Sequence, residues 1–411
     1  MRACMLAYTF YEQDNRVRRY AEALAKRGDQ VDVIALRRPM SSATEVIQGV
    51  NVFRIQKRVI DETGPISYLW KLLMFFLRSA WLVTIKHLRQ PYDVIHVHSV
   101  PDFEVFATLI PRLLGAHVIL DIHDIVPEFY ATKFKVDEGS LIFRILVSIE
   151  KLSIRYSDRV IISNDLWREK LLSRSVSEQK CTTIINYPDP SIFSGGEHAI
   201  PRSGHDFMMC YPGTLAWHQG LDLAIDAVCL LRAEVPNLKF VIIGDGPRRE
   251  DLKRRIRELD ICDRIEIKDG VAIEEIAEFM TKVDLGVVPK RKDKFANEAF
   301  STKILEFMAM NVPVLAARTR IDEYYFNDEL VQFFEPENVD DLAAKILFLI
   351  RNPMRRVSLC KCSAKFIAEN NWDVKKFRYF DLIAQLAKHG SPPAPESTPC
   401  SGGRISDIGP A

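Results

Sequence analysis

The feature that most constrains the fold is an alternation of short runs rich in Val and Ile with amphipathic stretches, which is interrupted once along the chain. In the first half, helical patterns such as RVRRYAEALAKRG and DLWREKLLSR separate or follow the apolar runs MRACMLAY, VDVIAL, DVIHVHS, HVILDIHD and RVIISN. Continuous apolar strands alternating with helices are typical of a parallel sheet that is covered on both faces. We therefore predict an α/β fold with a first Rossmann-like domain over residues 1–190.

The interruption is the stretch INYPDPSIFSGGEHAIPRSGHD, which is rich in Pro, Gly and Ser and precedes a second round of the same alternation. The second round contains the apolar runs FMMCYPG, KFVIIGDGP, RIEIKDG, DLGVVP and PVLAA. A chain of 411 residues is also too long for one ordinary core. We predict a second Rossmann-like domain over 206–370 that faces the first across a cleft, a helix over 371–390 that returns to the first domain, and a disordered tail over 391–411.

Charge and cysteine usage exclude some classes of function. The 56 Lys and Arg residues nearly balance the 55 Asp and Glu residues, so no global field attracts nucleic acid, and we expect no nucleic-acid partner. The eight cysteines are scattered and no signal peptide is recognisable, which favours a reducing cytoplasm. Cys360 and Cys362 lack a second pair at zinc spacing, and we expect no metal site.

The segment 66–90 is the most apolar in the chain, but Lys71, Arg78 and Lys86 interrupt it. It is therefore a poor candidate for spanning a bilayer. Two interpretations remain open. The segment is either an amphipathic helix on an anionic membrane surface, which would make the protein peripheral on the inner face of the cytoplasmic membrane, or a core helix with a solvated edge.

Two glutamates, Glu298 and Glu306, flank the start of a predicted helix in the stretch NEAFSTKILEFMAM, with Glu306 about two turns inside. The backbone amides of residues 299–302 lie between them and suit a phosphate group. Carboxylates accept hydrogen bonds from hydroxyls, so a diphosphate flanked by two polyols fits the whole set. A nucleotide sugar has this shape. The alternative is that Glu298 caps the helix and Glu306 is a solvated position.

The order of four motifs, YPGTLAWHQGLDLAIDA, KFVIIGDGPRREDLKRRI, GVAIEEIAEFM and NEAFSTKILEFMAMNVPVLAA, resembles the retaining glycosyltransferases of the group-1 (family 4) type, which have the GT-B fold. The resemblance covers about residues 1–388. It implies that Glu298 contacts the hydroxyls of the donor sugar and Glu306 those of the ribose. It also implies that the base lies near Gly270–Ile273, including Val271, and near the loop Gly244–Asp245–Gly246.

The chain departs from the family pattern at the diphosphate. Members often carry an arginine after the first glycine, Gly213, and a lysine five residues later, but here the positions hold Thr214 and Gln219. We expect the diphosphate to be bound by the start of the helix and by cations from elsewhere. The residues concerned are Ala299, Phe300, Ser301, Thr302 and Lys303, with Lys290, Arg291 and Arg16 as further candidate cations.

In the first domain, candidate residues follow the predicted strands. The resemblance implies that a histidine after HVILDI contacts the donor sugar or the reaction centre, which points to His123 and its neighbour Asp124. Asp14 and Arg16 lead into the first helix, where many relatives have a glycine pair. Asp14, Arg16 and Glu128 are candidates for the acceptor side. His96 and His98 alternate along a strand, and we predict that they line the core or the cleft.

The resemblance implies transfer of a sugar from a nucleotide diphosphate to a hydroxyl of a glycan or a lipid-linked acceptor, with retained configuration. It implies no cofactor beyond the nucleotide sugar as co-substrate, no metal, and a place in bacterial polysaccharide or glycolipid assembly. Two alternatives remain open: a nucleotide-sugar epimerase on the same fold, and a catalytically silent subunit that binds a nucleotide sugar or glycan. Thr214 and Gln219 give weight to the silent subunit.

Overall fold

The computed structural model describes residues 1–58, 65–134, 136–195 and 206–388, which form two parallel sheets with helices on both faces. The predicted α/β class with two Rossmann-like domains is confirmed. The predicted tail over 391–411 lies outside the described residues.

The first sheet has eight strands in the order β3-β4-β2-β1-β5-β6-β7-β8. All neighbours are parallel except β3 and β4. In β1, β5 and β7 nearly every residue is buried, as expected for strands covered on both faces. The strands are β1 (Arg2–Ala7), β2 (Gln30–Arg37), β3 (Thr44–Ile47), β4 (Val50–Lys57), β5 (Val94–His98), β6 (His117–Ile122), β7 (Arg159–Ile162) and β8 (Cys181–Thr183).

Helices cover both faces of this sheet. The helices are α1 (Asn15–Lys26), α2 (Pro65–Arg89), α3 (Leu109–Leu113), α4 (Val126–Phe134), α5 (Leu141–Tyr156) and α6 (Asp165–Arg174), and short 3-10 segments span Tyr11–Gln13, Asp102–Thr108 and Glu178–Lys180. The helices α2, α5 and α6 and the segment 102–108 contribute to the core on one face. The helix α1 packs on the other face.

The second sheet has six parallel strands in the order β11-β10-β9-β12-β13-β14. The strands are β9 (Phe207–Pro212), β10 (Leu238–Ile243), β11 (Ile265–Lys268), β12 (Leu285–Val288), β13 (Val314–Ala317) and β14 (Gln332–Phe334). The order reverses between β9 and β12. In such a sheet ligands bind outside the carboxyl ends of the strands at this switch point.

The helices around the second sheet include α10, which follows β12 and therefore begins beside the switch point. They are α7 (Leu221–Leu230), α8 (Arg249–Glu258), α9 (Ile273–Met280), α10 (Thr302–Ala309), α11 (Arg320–Tyr325), α12 (Val339–Arg351) and α13 (Pro353–Glu369), with a 3-10 segment over Trp217–Gln219. Residues of α7, α8 and α12 fill the core on one face. Residues of α9, α10 and α11 fill the core on the other.

The last helix, α14 (Trp372–Lys388), packs on the first domain rather than on the second. The ring of Tyr379 lies 4.3 Å from that of Tyr20 on α1, and its hydroxyl lies 2.9 Å from Nδ1 of His96. The Trp372 amide donates to the Pro188 carbonyl at 2.9 Å. The chain thus passes between the domains twice, and this hydrogen bond joins the two connecting segments.

The helix α2 is long and apolar enough, between Ser67 and Arg89, to cross a membrane by length and composition alone. Only 22% of its apolar window is buried. Leu72, Phe75 and Val83 pack into the core, whereas Trp70 and Trp81 are 60% and 67% exposed. The helix therefore has one face in the core and one large apolar face outside it.

Candidate functional site

At the switch point, the loops after β9 and β10 touch through two glycines. Gly213 and Gly244 have φ angles of +139° and +148°, a region that L side chains rarely adopt. A Cβ atom at Gly244 would lie 2.0 Å from the Gly213 carbonyl oxygen. Side chains at these positions would force the loops apart, so both positions require glycine, and the backbone is not covered by side chains where the two strands end.

The Lys303 side chain lies against this bare backbone. A Cβ atom at Gly213 would lie 2.4 Å from Cε and 2.9 Å from Nζ of Lys303, and Nζ lies 5.1 Å from the centroid of the Tyr211 ring. Burial lowers the pKa of Lys303, while the nearby Glu306 carboxylate opposes that shift. Within the described part of the chain, no carboxylate lies within ion-pair distance of its ammonium group. Lys303 is therefore a half-buried cation whose charge is not neutralised by a direct partner.

Helix α10 begins at Thr302 with Ser301 as its N-cap residue. The Ser301 hydroxyl is buried and has no hydrogen-bond partner among the described residues. The Ala299 amide was predicted to be available to a ligand, but it donates to the Phe295 carbonyl at 2.9 Å. The first turn of a helix has amides without intrahelical partners. The amides available here start beyond Ala299.

Glu306 lies on this helix just over one turn from its start, rather than the two turns predicted, because α10 begins only at Thr302. Burial raises the pKa of Glu306, and Lys303 opposes that shift. The Glu306 side chain is half-buried rather than fully solvated. Glu306 lines a cavity of only about 30 Å³ between the domains, together with Asn15, Arg18 and Ile273.

Glu298 is bound from both domains. Its carboxylate accepts from Lys170 of α6 at 2.7 Å and from Arg320 of α11 at 2.9 Å, and its carbonyl accepts from Asn164 at 3.1 Å. It does not cap α10. Glu298 lines a second cavity of about 550 Å³, which Glu128 and Lys170 also line. The two glutamates thus face different cavities in this arrangement of the domains.

Three of the four candidate cations have partners of their own. Lys290 is buried and donates to Asp322 at 2.8 Å and to the Ala299 carbonyl at 2.9 Å. Arg291 pairs with Asp222 and Glu337 and lies over the ring of Trp217. Arg16 is buried inside the first domain, where it binds Asp121. Lys303 alone among these four lacks a carboxylate partner in the described residues.

The loop after Gly213 holds the two residues that replace the usual cations. Thr214 is exposed, and its carbonyl accepts from the Tyr211 hydroxyl at 3.1 Å. Gln219 has a buried Oε1 without a partner in the part of the chain that is described. Between them lies His218, whose pKa is lowered by burial and further by Lys303 and Lys290, while Asp293 opposes this. Sequence reasoning missed His218, although it lies in the quoted motif.

The loop predicted to hold the base follows β11. Gly270 packs on Gly244, with 3.9 Å between a Cβ at Gly270 and the Gly244 Cα. Val271 is 41% exposed, and α9 begins at Ile273. The loops after β9, β10 and β11 therefore meet at one edge of the sheet.

In the first domain, His123 belongs to a network of histidines around a buried aspartate. Its Nε2 lies 3.1 Å from Nδ1 of His98 and 3.5 Å from Asp121. The register of β5 and β6 pairs His98 with Asp121 directly. Burial would raise the pKa of Asp121, but Arg16 holds it well below its ordinary value. Burial lowers the pKa of His98 well below its usual value, so His98 is neutral there.

His123 is more exposed than His96, His98 and Asp121, with 23% of its side chain accessible to solvent. Its carbonyl accepts from the Ser163 hydroxyl at 2.8 Å, and the next residue, Asn164, binds Glu298. Ser163 and Asn164 thus link the end of β6 to Glu298 of the other domain. Burial raises the pKa of the neighbouring Asp124.

The other predicted residues of the first domain have structural partners. Asp14 caps α1 by accepting from the amides of Arg16 and Val17 at 3.1 Å each. Glu128 is bound by Arg174, which also binds Glu150 of α5. Glu128 nevertheless lines the same cavity as Glu298.

One group of side chains has the composition of a metal site. Donor atoms of His96, His98 and Asp121 lie within 4.8 Å of one another. Arg16 donates to both oxygens of the Asp121 carboxylate, at 2.6 and 2.8 Å. A metal ion would lie beside this guanidinium and compete with it, so the group fits an ion-paired network rather than a metal ion.

Lys170 and Arg320 are the other residues that sequence reasoning missed. They reach Glu298 from α6 and α11, which are far from it along the chain. No local motif marks either residue. His218, by contrast, lies one residue before Gln219 in the motif YPGTLAWHQGLDLAIDA.

Comparisons with known proteins agree with this architecture. The family described as Glycosyl transferase 4-like domain matches residues 13–186, and Glycosyl transferases group 1 matches residues 197–365. Among solved structures, sucrose-phosphate synthase from Thermosynechococcus elongatus has a TM-score of 0.74 at 18% identity and covers 94% of this chain and 99% of that chain. Anabaena HepE in complex with UDP-glucose has a TM-score of 0.70 at 15% identity and covers 94% and 100%.

Similar curated proteins include the gpi3 subunit of phosphatidylinositol N-acetylglucosaminyltransferase from Schizosaccharomyces pombe, 23% identical over 62% of this chain and 53% of that protein. D-inositol 3-phosphate glycosyltransferase from Thermobispora bispora is 22% identical over 89% of this chain and 87% of that protein. The chain spans about half the length of the first curated relatives it matches.

Proposed function

Because this chain belongs to the group-1 glycosyltransferases and has the GT-B fold, we propose that it transfers a sugar from a nucleoside diphosphate donor to an acceptor hydroxyl with retention of configuration. The observation that carries this proposal is the meeting of Lys303, Gly213 and Glu306 at the switch point of the second sheet. A cation beside a bare glycine loop and a helix start suits a diphosphate. A carboxylate one turn away suits the ribose hydroxyls.

Lys303 takes the place of the missing family cations in this proposal. Residues Thr214 and Gln219 bring no charge, but Lys303 lies against the same loop from the side of α10. The ammonium group and the amides at the start of α10 stabilise the charge that develops on the leaving phosphate. No metal is needed for that charge, because the chain supplies the cation itself.

The proposed chemistry occurs on one face of the sugar. The bond from the anomeric carbon to the β-phosphate oxygen breaks, the bond to the acceptor oxygen forms on the same face, and the acceptor proton passes to the leaving phosphate. Glu298 binds sugar hydroxyls, and His123 contacts the sugar from the first domain. His98 and Asp121 hold the His123 ring in place.

Donor binding requires the domains to separate. The cavity beside Glu306 has only about 30 Å³, whereas small-molecule sites need hundreds of Å³. Separation breaks the 2.7 Å contact between Lys170 and Glu298, which frees the Oε2 oxygen of that carboxylate for the sugar, while Arg320 of the same domain still binds Oε1. Closure on the donor then excludes water and limits hydrolysis.

We also propose that the acceptor is a glycan or a lipid-linked molecule and that the reaction occurs in the cytoplasm, at the inner face of the membrane, with α2 on the lipid surface. The exposed apolar face of α2 supports this, as do relatives that are named for phosphatidylinositol and inositol phosphate. Assembly of a bacterial polysaccharide or glycolipid fits such an acceptor.

A panel of nucleotide sugars tests the proposal, starting with UDP-glucose, the ligand of the Anabaena structure. One member should raise the melting temperature and release nucleoside diphosphate when acceptor is present. A catalytically silent subunit, favoured by Thr214 and Gln219, would be stabilised by the same ligand and release none. Absence of stabilisation by every member would contradict the donor site.

A further inference from the structure

Helix α2 presents a continuous apolar stripe to the outside. The exposed residues recur three, four or seven positions apart, which places them on one face of a helix. They are Trp70, Leu73, Leu77, Trp81 and Leu88. From Trp70 to Leu88 the helix rises about 27 Å, so the stripe extends along most of α2.

Helix α5 presents a second stripe of the same kind. Leu141, Ile145 and Leu152 are exposed, with Leu141 at 71%, and their spacing again places them on one helix face. Arg144, Lys151 and Arg155 are exposed beside them. None of these three cations has an ion pair in the part of the chain described. An amphipathic helix with cations flanking its apolar residues is typical of a membrane surface.

The two stripes belong to one side of the first domain. The segment 102–108 packs between α2 and α5, with Phe103 against Phe76 of α2 and Phe106 against Tyr156 of α5. Helix α3 continues from this segment, and the helix with its C-cap residue adds four exposed residues, Leu109, Ile110, Leu113 and Leu114. The outer faces of α2, α3 and α5 are called the three-helix surface below.

The charge of the three-helix surface differs from that of the chain. The helices carry four cations on α2, one on α3 and three on α5. Their one acidic residue is Glu150, which is buried and bound by Arg174. Lys86 and Arg112 are paired with Asp32 and Asp158. The whole chain has 56 cations against 55 anions, so this excess is local and complements an anionic surface.

The three-helix surface also adjoins the cavity that Glu298 lines. Glu138, on the rim of that cavity, precedes the N-cap residue of α5, Ser140, by two positions. Arg174 ties the cavity residue Glu128 to Glu150 on the inner side of α5. The start of α5 and the mouth of the cavity therefore keep a fixed relation.

We propose that the whole three-helix surface, and not α2 alone, docks on an anionic phospholipid bilayer, and that α5 brings the mouth of the Glu298 cavity to the headgroups. This inference rests on the proposed lipid-linked acceptor, whose carrier stays in the bilayer. The two stripes lie on one side of the first domain, so contact with both restricts the orientation of the domain on the bilayer more than contact with one helix does.

Vesicle binding of the full chain tests the proposal without any sugar donor or acceptor, so a failure of the proposed transfer activity does not affect the result. The wild-type chain should sediment with vesicles of phosphatidylcholine and phosphatidylglycerol at 3:1, and much less with phosphatidylcholine alone. Each cation near an anionic surface contributes about a fivefold change in partitioning. The triple variant Arg144→Gln, Lys151→Gln, Arg155→Gln should therefore bind the anionic vesicles on the order of 100-fold more weakly.

A control variant carries the same change of net charge on α8, with Arg254→Gln, Arg255→Gln and Arg257→Gln, and should bind like wild type. A second variant, Leu141→Gln with Ile145→Gln and Leu152→Gln, should also lose binding. Wild-type binding by both α5 variants would overturn the proposal and leave α2 as the contact. A dimer by light scattering that these apolar substitutions dissociate, with vesicle binding unchanged, would overturn it in favour of a second copy of the chain.

Discussion

Replacing Lys303 with methionine should separate recognition of the diphosphate from recognition of the nucleoside. The ammonium group lies beside the bare backbone of Gly213, 5.1 Å from the Tyr211 ring, and no carboxylate within the described residues pairs with it. Hydrogen bonds to charged groups contribute about 1.5–3 kcal/mol. Lys303→Met should therefore weaken binding of a nucleoside diphosphate roughly 10- to 150-fold, with the larger effect favoured by burial.

The same substitution should not destabilise the ligand-free chain. Burial lowers the pKa of Lys303, so the charged form costs stability below its folded pKa, and that cost disappears as the pH rises above the unfolded value. Methionine keeps the length and the apolar contacts of the side chain without its charge. We expect a melting temperature at pH 7 that is equal to or higher than that of wild type.

Calorimetry with the nucleoside diphosphate that stabilises the chain most, and with its nucleoside, gives the measurement. Nucleoside binding should change less than twofold. Lys292→Met, an exposed lysine in the loop before α10, is the matched control and should bind both ligands normally. Equal losses for the nucleoside and its diphosphate, or a melting temperature several degrees lower, would refute the assignment of Lys303 to the phosphates.

Glu306→Gln should weaken binding of nucleotide and nucleoside alike by roughly 10-fold or more in calorimetry, and unchanged affinity would remove Glu306 from the ribose site. His123→Ala should lower turnover on the order of 100-fold with an unchanged circular dichroism spectrum, and full activity would assign His123 to structure. Asp121→Asn should cost about 3–5 kcal/mol in urea unfolding, because it leaves Arg16 buried without its charge partner; a smaller loss would mean that water reaches the pair. Burial raises the pKa of Glu104 to about 8, so the folded chain holds a proton that the unfolded chain has lost, and stability falls as the pH rises from about 5 to 8. Glu104→Gln should flatten this slope in urea unfolding and stabilise the chain at pH 8 by on the order of 4 kcal/mol, whereas parallel profiles would show that Glu104 does not titrate there.

The two sheets were predictable because buried parallel strands read as continuous apolar runs. The strands β3, β4 and β8 were not predicted. Thr44–Ile47 and Cys181–Thr183 are short, and β4 alternates between buried and half-buried residues instead of forming a continuous apolar run. The helix α13 was also not predicted, because its apolar residues are interrupted by cations. These elements are defined by what they pack against rather than by their own pattern.

The candidate site also contains some contacts that the sequence predicts and others that it does not. Lys303 and Glu306 were predictable as neighbours, since residues three apart on a helix share a face. The contacts of Glu298 with Lys170 and Arg320 were not, because they depend on how α6 and α11 are arranged around one loop. Likewise, His96 and His98 were expected on one side of β5, but the pairing of His98 with Asp121 depends on the register with β6.

The return of α14 to the first domain affects the order in which the chain can fold during synthesis. Trp372, Tyr379, Leu382 and Leu386 belong to the same core as the first strands, which are made long before them. At roughly 5–20 residues per second, the stretch of about 200 residues between the linker and α14 delays completion of that core by about 10–40 seconds. All strands of the second domain leave the ribosome before α14 does. The second domain can therefore complete its core before the first domain, although the first domain is translated earlier.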